Sequence, residues 1–132
     1  MAMMEWNDNL KVGHSMIEKN HIKLVGLINE LGEAMSAGCG RAVCGKILEE
    51  LMTYSETHFL IEEQLMAVHR YTASSAHKTE HAHLAQSVVE LKGKYDAGMA
   101  TISVILLHFL LGWLAHHSLK WDKALAQKIP GG

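Results

Sequence analysis

Ten histidines and only two cysteines occur in the 132 residues, so any bound metal would meet imidazole rather than thiolate. The densest run is HKTEHAH, residues 77–83. On a helix, residues four apart lie on one face about one turn apart, near enough to share an ion. His77 and His81 satisfy this, whereas His83 sits about 200° around from His81 and points away. The run HFLIEEQLM, residues 58–66, places His58 and Glu62 four apart, on a stripe with Leu51, Tyr54 and Leu65. Glu63, five from His58, turns off that face, which leaves Glu62 as the ligand of the two. His21 shares a face with Ile17, Leu24, Val25 and Ile28. Of the adjacent pair His116 and His117, His117 has Leu114, Trp113 and Leu110 at three, four and seven positions before it. The same offsets from His116 give Trp113, Gly112 and Phe109, so His117 is the inward member.

A lone histidine on an apolar face is ordinarily a satisfied core residue. Here the same explanation would be needed five times over. Five uncharged buried imidazoles would leave several ring nitrogens short of partners, at about 1–3 kcal/mol each. Metal coordination satisfies them together. A structural zinc site takes four ligands, so five imidazoles with Glu62 imply two ions bridged by carboxylate. Imidazole and carboxylate without thiolate suit iron, manganese or zinc. The Glu-x-x-His pairing of carboxylate-rich di-iron bundles is missing around these histidines. Imidazole leaves the metals more positive than four glutamates would, so bound oxygen is less readily driven to cleavage and reversible binding is expected.

Positioning these groups requires helices. Small residues at 36–40 (SAGCG), 72–76 (TASSA) and 97–100 (AGMA) cut the chain into four segments. The segments run from about Ile17 to Ala37, Arg41 to His69, Ser75 to Tyr95, and Thr101 into the Asp122 region. Each carries apolar residues at helical spacing, β-branched alternation is nearly absent, and no Asn-Gly or Asp-Gly hairpin signal occurs. The expected fold is all-α: an up-down-up-down antiparallel four-helix bundle in one domain spanning 1–132. An N-terminal arm with Trp6, Leu10 and Val12 covers one end. A net charge of −2 and a pI near 6.5 offer no basic field for phosphate, so nucleic acid is excluded as a partner. Residues 97–119 carry no Asp, Glu, Lys or Arg and are long enough to span a bilayer. Histidines at 108, 116 and 117 would be expensive in lipid, so a buried bundle helix is expected instead. Cys39 and Cys44 do not form a CxxC pair and, without a signal peptide, fit unpaired thiols in the cytoplasm.

With these residues assembled, the sequence resembles the hemerythrin family, in particular its single-domain bacterial members, over essentially its whole length. The resemblance runs through W-x3-L-x-V-G (Trp6, Leu10, Val12, Gly13), IEKNH with His21, HFLIEEQLM with His58 and Glu62, YTASSAHKTEH with His77 and His81, and WLAHHSLKWD with His117 and Asp122. It implies a non-haem di-iron site. His77, His81 and His117 would saturate one iron. His21 and His58 would hold the other, which keeps a position for O2. Glu62, Asp122 and a solvent-derived oxo or hydroxo group would bridge them. Asp122 enters on the resemblance alone: five residues beyond His117 is about 140° around a regular helix, so a loosened or π-type turn is needed.

The implied function is reversible dioxygen binding, as carrier, store or supplier, and not an enzyme activity. The alternatives are a di-iron enzyme handling peroxide or nitric oxide, and an oxygen or redox sensor. A sensor would have to act through a partner, because 132 residues leave no room for a fused signalling domain. The remaining histidines, His14, His69, His83, His108 and His116, are expected as surface groups titrating near neutrality. Val104, Ile105, His108, Leu111, Gly112 and Ala115 form an apolar face opposite His117, expected to contact a second copy of the chain.

Overall fold

The structure is a computed structural model that describes residues 13–38 and 40–129. Four helical spans follow one another. They are α1 (Ser15–Ser36), α2 (Gly40–Val68), α3 (Ser74–Asp96), and a last span in which α4 (Ile102–Gly112) runs through a π-helical segment (Trp113–Asp122) into α5 (Lys123–Lys128). They pack as an antiparallel four-helix bundle, and no strand occurs among the described residues. The expected limits of the first three helices fall within one or two residues of those observed. The N-terminal arm with Trp6, Leu10 and Val12 lies outside the described residues, as does Cys39. Cys44 is a free, buried thiol whose pKa burial pushes up.

Chain reversals are set by helix C-termini. At the end of α3, Gly98 adopts φ +84°. Its N–H donates to the Tyr95 carbonyl at 3.0 Å, and the Met99 N–H donates to Lys94 at 3.1 Å. These bonds satisfy the last carbonyls of the helix and turn the chain back. The end of α2 uses the same pattern with Arg70 at φ +51°, where the Tyr71 N–H reaches the Met66 carbonyl at 2.9 Å.

Two apolar clusters fill the interior. The larger includes Leu24, Ile28, Ile47, Leu51, Leu106 and Leu110. The smaller joins Ile17, Met66, Leu125, Ala126 and Ile129 at one end. Three of the four spans pass from one cluster to the other: Leu24 to Ile17 on α1, Tyr54 to Met66 on α2, and Leu114 to Leu125 on the last span, while α3 joins the larger cluster through Leu84, Val88 and Leu91. The polar layer described below is held between them.

The last span, Ile102–Lys128, is long and apolar enough to cross a membrane. It is not a membrane span. Ile102, Leu106, Leu110, Trp113 and Leu114 are buried in the bundle, and so are His117 and Asp122 further along. The expected outer face is observed, with Val104, His108 and Ala115 exposed and Ile105, Leu111 and Gly112 half-buried.

Two substitutions two residues apart, on opposite sides of the helix, read out this division of α4. Leu106→Ala, at a wholly buried position, should cost about 2–5 kcal/mol through lost contacts and the cavity left behind. Val104→Ala, at a 45% exposed position, should change stability by less than about 0.5 kcal/mol. Denaturant unfolding of the two variants checks both values.

Candidate metal centre

Every helical span sends polar side chains to one point. His21 comes from α1, His58 and Glu62 from α2, His77 and His81 from α3, and His117 and Asp122 from the π segment; all seven are buried. Ligand-type atoms of His58, Glu62, His81, His117 and Asp122 all lie within 4.8 Å of one another. His21 closes on Asp122, and His77 on both Glu62 and Asp122.

The pattern of contacts has two halves. Asp122 Oδ2 faces Nε2 of His21 at 3.0 Å and of His58 at 3.1 Å. Its other oxygen, Oδ1, faces Nε2 of His117 at 3.0 Å and of His77 at 3.2 Å. Glu62 Oε1 lies 2.9 Å from His81, 3.0 Å from His77, 3.3 Å from His58 and 3.6 Å from His117, each measured to Nε2.

One oxygen has two lone pairs and cannot accept four hydrogen bonds. Several of these approaches are correspondingly close without being aligned. His58 Nε2, His117 Nε2, Glu62 Oε2 and Asp122 Oδ1 are all buried, and none makes a hydrogen bond. Donors about 2.1 Å from one ion, at right angles to each other, stand about 3 Å apart. The observed spacings suit ligands converging on cations, and the orphaned atoms are the ones a cation would satisfy. The donor set fits imidazole–carboxylate metal chemistry.

Asp122 reaches the centre because the helix changes its hydrogen bonding. In a π-helix the i→i+5 bond brings residues five apart onto one side, and His117 and Asp122 are five apart within Trp113–Asp122. The π turn demanded by the sequence spacing is present, and it extends over ten residues.

Electrostatics bind the layer together. Burial would raise the pKa of Asp122, but the positive charges of His58 and His117 and the bond from His21 outweigh it and hold the carboxyl well below its usual range. Burial and the Asp122 charge would raise Glu62, yet His58, His117 and His77 leave it lowered. Conversely, burial would lower His117, but Asp122 and Glu62 lift it to about 9. His77 is raised by the same two carboxylates against the effect of its burial.

A second tier of groups escaped the sequence reading. His81 Nδ1–H donates to Glu63 Oε2 at 3.0 Å, which turns Nε2 toward Glu62. Glu80 Oε1 lies 3.9 Å from His117 Nδ1, close enough for charge but not for a hydrogen bond. Glu63 was set aside because it points away from His58; the signal lay on α3, in a contact between helices that periodicity does not see. Aromatic rings enclose the layer. Phe59 stacks on His81 at 4.1 Å and Tyr54 on His58 at 5.3 Å, while Trp121 meets His77 edge-on at 5.7 Å. Of the spare histidines, His69, His83, His108 and His116 are exposed as expected. His14 is not; it is only 3% exposed, just ahead of α1.

Fold and site together define an antiparallel four-helix bundle around a buried metal centre. Residues 12–129 match the hemerythrin HHE cation binding domain family. The chain belongs to the hemerythrin family. It is 32% identical to a bacteriohemerythrin of Stenotrophomonas maltophilia (strain R551-3), over 98% of this chain and 83% of that one. It is 32% identical to the bacteriohemerythrin of Methylococcus capsulatus, over 93% and 94% of the two chains. A crystal structure of a hemerythrin carrying a leucine-to-alanine substitution superposes with a TM-score of 0.84 at 28% identity, covering 98% of each chain.

Two outcomes follow for metal loading. Without a cation, the raised pKa of His117 contributes stability that is fully present below about pH 6.5 and is lost as pH rises through about 9. The lowered carboxylates contribute stability that is lost as pH falls below about 4. Cation binding must displace the imidazole protons, so affinity should fall from pH 8 to pH 6 and loading should release protons into a weak buffer. Glu63→Ala should weaken metal affinity by about 10- to 100-fold, with Glu63→Gln less affected. Competition with a coloured chelator measures both; equal affinities for the two variants and the parent would remove the role given to Glu63.

Proposed function

We propose that the chain binds dioxygen reversibly at a non-haem di-iron centre and does not turn over a substrate. His77, His81 and His117 hold one iron and His21 and His58 the other. Glu62 and Asp122, each facing imidazoles of both sets, would serve both irons. The observation that carries this reading is the division of Asp122, with one oxygen on the His21/His58 pair and the other on His77 and His117. One ion would not call for a carboxylate split in that way. Membership of the hemerythrin family supports the same assignment.

When bound, a ferrous pair supplies the electrons on which reversible dioxygen binding depends. The protein's own contribution is positional. Five imidazoles from four helical spans fix the ligand set before a cation arrives. The Glu63 bond fixes the ring orientation of His81. Phe59, Trp113 and Tyr54 exclude water from the imidazoles, which keeps the local dielectric low and the carboxylate–cation attraction strong. The buried unpaired thiol of Cys44 suits the cytoplasm. The outer face of α4 is the surface assigned to a second copy of the chain; sedimentation as a clean monomer at high concentration would exclude that contact.

Anaerobic reconstitution with ferrous salt should load two irons per chain. Air should then produce a visible spectrum that returns to the colourless state when oxygen is removed. Uptake of one iron or fewer per chain would defeat the di-iron assignment. Irreversible oxidation coupled to consumption of an added substrate would instead identify an enzyme.

A further inference from the structure

We infer that the cleft between α1 and α2 is the route by which the small ligand enters and leaves, and that the phenol of Tyr54, at its inner wall, donates a hydrogen bond to that ligand. The inference rests on the dioxygen-binding reading above.

The cleft has a volume of about 520 Å³, and Asn20, Thr53, Tyr54 and Thr57 contribute to its lining. Asn20 and Thr57 immediately precede His21 and His58, and Tyr54 lies one helical turn before His58. The cleft therefore abuts the half of the centre with two imidazoles, the half that retains a position for a ligand. Two other hollows flank the bundle. One, of about 130 Å³, is backed by Phe59, whose ring covers His81. Another, of about 260 Å³, is bordered by Trp121, which packs on His77. Both adjoin the half with three imidazoles, which has no position to offer.

Tyr54 is 5% exposed and stacks on the His58 ring with planes 8° apart. Its hydroxyl is buried and has no hydrogen-bond partner. A buried hydroxyl without a partner is costly, and native proteins rarely leave one. A phenol is an O–H donor at neutral pH. A ligand gaining negative charge beside His21 and His58 is the acceptor it lacks. At the mouth, Glu49 and Glu50 outnumber Lys23, which favours entry of neutral diatomic molecules over anions.

The test uses full-length, iron-loaded protein with loading measured for every variant. Tyr54→Phe keeps the ring and removes only the donor. Dioxygen dissociation from the reduced protein, and azide dissociation from the oxidised protein, should each accelerate about tenfold, the loss of one hydrogen bond. Thr57→Trp, at an exposed position on the cleft wall, should slow association and dissociation of dioxygen by a similar factor and leave Kd unchanged. If Tyr54→Phe raises thermal stability but leaves both dissociation rates alone, the hydroxyl is only an unsatisfied core group and the donor role fails. Unchanged rates in Thr57→Trp would mean entry elsewhere. Failure of the parent protein itself to bind dioxygen or azide would instead overturn the di-iron reading, and is read independently of the variants.

Discussion

Two carboxylates and five imidazoles share a layer that water does not reach. Removing any one charge from such a set leaves another buried without compensation, typically at about 3–5 kcal/mol. Glu62 and Asp122 repel each other and are held together by the histidines that surround them. His77 and His117 in turn hold their protons more tightly because of the carboxylates. The layer is therefore self-consistent but incompletely satisfied, since eight of its polar atoms, six nitrogens and two oxygens, find no hydrogen bond. Cations can close that account where protons cannot, because an ion accepts several ligands at right angles while a proton serves one donor and one acceptor.

This requirement shapes the helices. Ligands arrive from every span, so all four spans must be present and in register, which is the work of the apolar clusters on either side of the layer. On α2 and α3 regular helical spacing suffices, because His58 and Glu62, and His77 and His81, stand four apart. On the last span it does not. His117 and Asp122 are both buried in the layer at a separation of five, and the backbone widens into a π-helix to bring them there. Below it, α5 resumes regular geometry with Leu125 and Ala126 packed into the smaller cluster. Long π-helical runs are uncommon and concentrate at functional sites; here the polar layer supplies the constraint that keeps one.

What could be read in advance follows from the same physics. The four helices were legible because apolar residues recur at the helical period, and their ends because small residues interrupt it. His21, His58, Glu62, His77, His81 and His117 were legible as imidazoles or a carboxylate on those apolar stripes. Asp122 was not, because its face is defined only once the helix has widened; the resemblance to a family located it. Glu63 and Glu80 were invisible because they act across helices, on rings that belong to α3 and the π segment. His14 was misplaced at the surface because it precedes α1, where no period exists to assign it a face.

The two halves of the layer are built differently, and the difference separates anchoring from access. The half with three imidazoles is enclosed. Phe59 lies flat on His81, Trp121 stands against His77, and Glu63 bonds the far nitrogen of His81. A carboxylate behind an imidazole makes the ring a stronger donor and fixes its orientation, which suits an ion that is to be retained. The half with two imidazoles has no such support. Nδ1 of His21 and of His58 are without hydrogen-bond partners, as are those of His77 and His117, so that His81 alone is braced by a carboxylate; Tyr54 stacks on His58 with a cleft beyond it. On the proposed di-iron reading, an ion held there would have fewer donors and would lie beside the cleft, the conditions under which a further ligand can come and go.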